Sequence, residues 1–160
     1  MTSRENFTEE EWSRVVGAPM LAGIAVTAAD PGGLWGAIKE STAVAGSITD
    51  KNAPGGLVGE IIAEFQTSEG RTMAKNALHS EVKGKKPEEI VEAALLELAA
   101  ISTLVAQKTP DEIEAFRAWI NELANNVAEA GTEGGFLGFG GVKVSDAEKA
   151  TLDRLASALA

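Results

Sequence analysis

Glu97 is the only charged residue between Glu92 and Lys108, set in the run Ala93-Ala94-Leu95-Leu96-Glu97-Leu98-Ala99-Ala100-Ile101. A carboxylate carried into a core by such a run needs a partner, or it takes up a proton, and groups of that kind recur at active and metal sites. One reading makes Glu97 the floor of an inter-helix pocket for a small ligand or a substrate. The plainer readings are a narrow solvent-facing edge shared with Ala93 and Ala100, or a structural pair with a lysine or arginine.

A second pattern could bind anions. The pentapeptide Gly-Gly-apolar-apolar-Gly occurs as Gly32-Gly33-Leu34-Trp35-Gly36, Gly55-Gly56-Leu57-Val58-Gly59 and Gly134-Gly135-Phe136-Leu137-Gly138, and holds nine of the 17 glycines. Bare backbone amides at a helix start can cradle a phosphate. No lysine follows at the phosphate-loop spacing, so that motif is absent. The plainer reading is that missing side chains let helix starts pack closely. The third copy runs on into Phe139-Gly140-Gly141, and a loop this apolar either tucks Phe136 and Phe139 into the core or offers them to a partner.

Basic residues cluster too. Arg71, Lys75 and His79 are spaced by four and lead to Lys83, Lys85 and Lys86. This face could dock an acidic partner or another copy of the chain; the plainer reading is a solvated surface.

Metal chemistry is narrowly bounded. With one histidine and no cysteine, zinc lacks its usual set of nitrogen and sulfur ligands, and the Glu-x-x-His pairs of di-iron bundles are missing. A resident metal would be a hard cation on oxygen ligands, calcium or magnesium, yet no twelve-residue calcium loop is present. Glu60 and Glu64, four apart, are like charges on one helix face. No Gly-x-Ser-x-Gly elbow orders a nucleophile.

The elements that must position these residues read as helices. Thr8 with Glu11, and Ser145 with Glu148, are capping boxes. The first helix meets Gly17-Ala18-Pro19, where a kink or break is expected, and continues uncharged from Met20 to Ala29. Asp30-Pro31 opens a helix to about Ile48, and Pro54 opens one carrying Leu57, Val58, Ile61, Ile62 and Phe65 inward. Ser68 is expected to cap the next, running to about Lys83. After the break Gly84-Lys85-Lys86-Pro87 comes the longest helix, to about Gln107. Thr109-Pro110-Asp111-Glu112, with Thr109 as the expected cap, starts another to Ala130, with Ile113, Phe116, Ile120, Leu123 and Val127 in one stripe. A glycine-rich connection, 131–144, leads to a last helix facing inward through Leu152, Leu155, Ala156 and Leu159. Nothing alternates with period two for long; Val142-Lys143-Val144 is at most a short extended piece. The expected fold is all-α, a single domain over 1–160 with six or seven helices and a glycine-rich loop before the last.

Composition bounds the partners. A formal net charge of −10 repels phosphate backbones and anionic lipid, so neither nucleic acid nor a membrane is expected. The N-terminal residues lack the apolar run of a signal peptide, and the uncharged stretch 15–29 falls short of a bilayer span. A cytoplasmic protein is expected, in keeping with the lack of cysteine.

Two stretches resemble the tellurite-resistance TerB family of small helical proteins. Ala25-Val26-Thr27-Ala28-Ala29-Asp30-Pro31-Gly32 is similar to that family's alanine-rich helix ending in an Asp-Gly turn. Gly141-Val142-Lys143-Val144-Ser145-Asp146-Ala147-Glu148-Lys149, with Leu152 and Leu155, is similar to its second turn and helix. Pro31 splits the Asp-Gly pair, and Gly140 stands where the second aspartate would be. The resemblance covers about a quarter of the chain. It implies a cytoplasmic, stress-related helical protein whose acidic cluster, matched in part by Asp30, Asp146 and Glu148, binds a metal.

Three functions follow as expectations. The first is a non-enzymatic domain acting through protein contacts, including homo-oligomers, by way of Phe136, Phe139, Arg71 and Lys75, with no cofactor. The second is a hard-cation domain using Asp30, Asp146, Glu148 and Glu97. The third is a ligand carrier or enzyme with a pocket near Glu97.

Overall fold

The computed structural model describes residues 2–29, 54–133 and 144–160. These form six α-helices and one short 3-10 turn, with no strand among the described residues. The turn, Ser3–Asn6, precedes α1 (Glu9–Ala29). Then come α2 (Gly56–Gln66), α3 (Ser68–Val82), α4 (Pro87–Lys108), α5 (Ile113–Glu133) and α6 (Asp146–Leu159). The all-α expectation holds. The expected helix from Pro31 to Ile48, the glycine copies at 32–36 and 134–138, and the piece 142–143 lie outside the described residues.

The axis of the bundle is α1, which packs against each of the other five helices. It starts as its sequence dictates: the Glu11 amide donates to Thr8 Oγ1 (3.2 Å), and the Glu11 carboxylate accepts the Thr8 amide (2.8 Å). That backbone bond, with Lys108 nearby, holds the Glu11 carboxyl below the usual carboxylate range.

The expected break at Gly17-Ala18-Pro19 does not occur, and one helix runs through. Pro19 removes a backbone donor, which in a helix interior costs about 3 kcal/mol, but it is buried in the core, and apolar burial around it offsets that loss. Gly17 has a different task. A Cβ there would fall 2.8 Å from Ala77 Cβ, so its bareness lets α3 cross close to α1.

By length and composition α1 is able to cross a membrane, contrary to the shorter estimate from the uncharged stretch alone. In the fold, however, 72% of its most apolar window is buried. Val15, Val16, Leu21, Ala22, Ala25 and Val26 are all at most 1% exposed, so most of its apolar surface is covered by neighbours.

Other elements follow their patterns with local corrections. The α5 stripe Ile113, Phe116, Ile120, Leu123 and Val127 is buried throughout. That helix extends to Glu133, three residues past the expected end. Thr67, not Ser68, caps α3, its hydroxyl accepting the Gly70 amide at 2.9 Å. Gly70 is required there because a Cβ would collide with the Glu64 carbonyl. Gly84 takes a positive φ of 75° at the break before α4, a conformation that favours glycine. Thr109 does not cap α5; its hydroxyl donates back to the Val105 carbonyl at 3.1 Å and closes α4 instead. In α6, Leu155 and Leu159 are buried and Leu152 half-buried, but Ala156 faces solvent.

The end of α6 is pinned from outside. Ser102 Oγ donates to the Leu159 carbonyl, and the Arg117 guanidinium to that of Ala160 (2.9 Å). These bonds satisfy acceptors that any helix C-terminus leaves open.

Candidate functional site

The isolated carboxylate has a partner. Arg14 on α1 meets Glu97 on α4 in a two-point pair, Nε to Oε1 at 2.6 Å and Nη2 to Oε2 at 3.2 Å. The Glu97 side chain is 19% exposed and that of Arg14 37%. Glu97 and Ala93 are half-buried and Ala100 is exposed, so both plainer readings of the run hold together. The pair lies in a cleft of about 500 Å³ between α1, α3 and α4, whose walls include Met73, Asn76, Ser80 and Glu81. Glu97 by its hydrogen bond, then Glu10 and Glu81 by their charge, hold the Arg14 guanidinium above its ordinary value. It therefore stays charged. The cleft carries three carboxylates and one guanidinium.

The second glycine copy does sit at a helix start, and one of its amides, that of Leu57, meets an anion. That anion is Glu112, from the turn before α5. Its Oε1 accepts the Leu57 amide at 2.7 Å, and its Oε2 accepts the Ser3 hydroxyl at 2.5 Å. Gly56 has a φ of 71°, and a Cβ on it would strike the Glu112 carboxylate. At Gly59 a Cβ would strike the Pro54 carbonyl, whereas at Gly55 nothing stands within 4 Å. The close packing expected between helices is thus packing against a carboxylate and the chain's own turn.

Glu60 and Glu64 are likewise engaged. Glu60 accepts the amides of Ser3 and Arg4, both at 2.8 Å, which closes the start of the 3-10 turn. Glu64 accepts from Trp12 Nε1 at 3.3 Å. Their mutual repulsion is offset by these donors.

Of the residues expected to bind metal, the described ones, Glu97, Asp146 and Glu148, form no cluster. Among the described residues no three acidic or histidine side chains converge as a metal site. Glu97 is paired with Arg14, and Glu148 closes the α6 capping box by accepting the Ser145 amide at 2.8 Å. Asp146 is exposed in the first turn of α6, and Asp30 lies outside the described residues. Phe136 and Phe139 lie outside them as well.

Arg71 and Lys75 are both exposed on α3. The Arg71 guanidinium donates to the carbonyls of Phe65 (3.1 Å) and Gln66 (2.9 Å), closing the end of α2. Lys75 enters no ion pair among the described residues, and His79, Lys83, Lys85 and Lys86 are exposed beyond it.

One feature carried no signal in the sequence. Leu96 is 72% exposed, the only large hydrophobic side chain so placed among the described residues. It borders an apolar groove of about 510 Å³ between α4 and α6, lined also by Leu95, Ala99 and Ala158. Arg154 and Glu92 pair across its edge at 2.6 Å.

Compared with protein-family models, curated proteins and solved structures, the chain gives no match. The likeness to the TerB family therefore rests on the residues quoted for it.

Proposed function

We propose that this chain is a helical domain that works through protein contacts, and that it self-associates through the groove at Leu96. The observation that carries the proposal is that groove: an exposed leucine beside Leu95, Ala99 and Ala158. A single exposed leucine is ordinary; one continuous with an apolar groove is the kind of surface that partners cover.

A second copy suits this face on grounds of charge. At a net charge of −10, copies repel over most of their surface. The groove carries both signs, Glu92 and Asp153 with Arg154. A two-fold axis through it sets each Arg154 near the other copy's acids, as an isologous contact requires. A two-fold contact buries two leucines, about 3–6 kcal/mol together, and association costs at least about 4 kcal/mol. The expected dimer is therefore weak.

The engagement of the charged groups supports a non-catalytic reading. Glu11, Glu60, Glu64, Glu97, Glu112 and Glu148 all accept hydrogen bonds within the fold. A cytoplasmic setting accords with the absence of cysteine, and an accessory role such as stress response is what the TerB resemblance adds.

Light scattering over about 10 μM to about 1 mM tests the contact. The wild-type mass rises toward a dimer, and Leu96→Asp holds it at a monomer with melting unchanged, because the side chain is exposed. A wild-type protein that stays monomeric throughout, or an oligomer indifferent to Leu96→Asp, overturns the proposal.

A further inference from the structure

We propose that the outward face of α3, centred on Lys75, His79 and Lys83, is a docking surface for an acidic protein segment, independent of the Leu96 contact. The helix has two faces. Met73, Asn76, Ala77, Ser80 and Glu81 line the Arg14–Glu97 cleft, whereas Arg71, Lys75 and His79 recur every fourth residue on the other side and Lys83 follows as the residue that ends the helix, all exposed. Lys75 and Lys83 stand about 12 Å apart along the axis at 1.5 Å per residue.

The charge distribution is lopsided. Residues 71–86 hold five basic residues and one acid, +4, so the other 144 residues hold nine basic and 23 acidic, −14. The single acid, Glu81, lies on the cleft side near Arg14. Among the described residues Lys75, Lys83, Lys85 and Lys86 enter no ion pair, nor does the isolated Lys149, whereas Arg4, Arg14, Lys108, Arg117 and Arg154 each pair within the chain. Glu88 and Glu89 open α4 beside Lys85 and Lys86, and Glu89 accepts the Lys86 amide. The uncompensated part of the face is thus Lys75 to Lys83.

An acidic protein segment fits this face better than other polyanions. Residues 71–86 contain no Phe, Tyr or Trp, which leaves His79 as the single ring on which a base could stack, short of the several that a strand of bases needs. The apolar members of α3, Met73, Leu78 and Val82, are half-buried, leaving no large apolar side chain to enter a bilayer. A long nucleic acid or an anionic membrane would also extend past α3 onto the strongly acidic remainder, whereas a short peptide need not.

The test uses the full chain and a twelve-residue peptide of alternating glutamate and serine, followed by amide chemical shifts. The expected shifts fall within 71–86, and they shrink as salt is raised from about 50 to about 300 mM. Lys75→Glu with Lys83→Glu weakens binding by about tenfold, the modest change expected of exposed ion pairs. Lys149→Glu leaves it unchanged. Both sets of substitutions are at exposed positions, and matching circular dichroism confirms that the variants fold. Shifts spread over other basic residues, or binding that survives the double substitution, overturn the proposal. So does tighter binding of a single-stranded oligonucleotide, or sedimentation with vesicles containing anionic lipid.

Discussion

The starts of α2 and α6 present the same physical problem, and the chain closes them in different ways. At α6 the closure is local: Ser145 Oγ accepts the Glu148 amide at 3.1 Å, and the Glu148 carboxylate returns the bond. At α2 the first residues are glycines with no capping side chain, and closure comes from Glu112, 55 residues further along the chain. A helix start left open is ready for a phosphate; one filled by the chain's own carboxylate is a joint. Glu112 also accepts from the Ser3 hydroxyl, so one side chain ties the N-terminal turn and α2 to the segment before α5. The glycine pattern belongs to the scaffold here, and that moves the search for function to exposed faces.

The comparison can be broken most sharply at Glu112. Replacing it with alanine leaves the Leu57 amide and the Ser3 hydroxyl without their acceptor. Hydrogen bonds to charged groups are worth about 1.5–3 kcal/mol each, but this site is only half-buried, so the expected loss is about 2 kcal/mol by urea denaturation. Ser145→Ala should cost less, about 1 kcal/mol, because it opens one helix start and joins nothing else. Equal losses in the two variants would mean that the remote closure is no stronger a tie than the local one.

The same contrast explains what the sequence made legible. Caps built from residues three apart, Thr8 with Glu11 and Ser145 with Glu148, are visible because the partners lie within one turn. The α5 stripe is visible because its spacing is that of a helix. Glu97 is conspicuous as a lone charge, yet its partner Arg14 lies 83 residues away and local spacing carries no trace of it. Pro19 misleads because its helix-breaking cost is a local quantity, while the core burial that offsets it is tertiary. Thr109 misleads because a hydroxyl between two helices can serve either; it serves the one before. Leu96 is hidden because a leucine in an apolar run reads as core, and only the position of α6 shows that the groove beside it is left uncovered.

Amide hydrogen exchange at Leu57 tests the central claim, that the α2 start is filled by Glu112. The wild-type Leu57 amide should be protected, and Glu112→Ala should speed its exchange by at least about tenfold relative to the Glu148 amide, which keeps its cap and serves as an internal reference. If Leu57 exchanges as an open amide in the wild type, or if both amides respond alike, the start of α2 is not closed by Glu112.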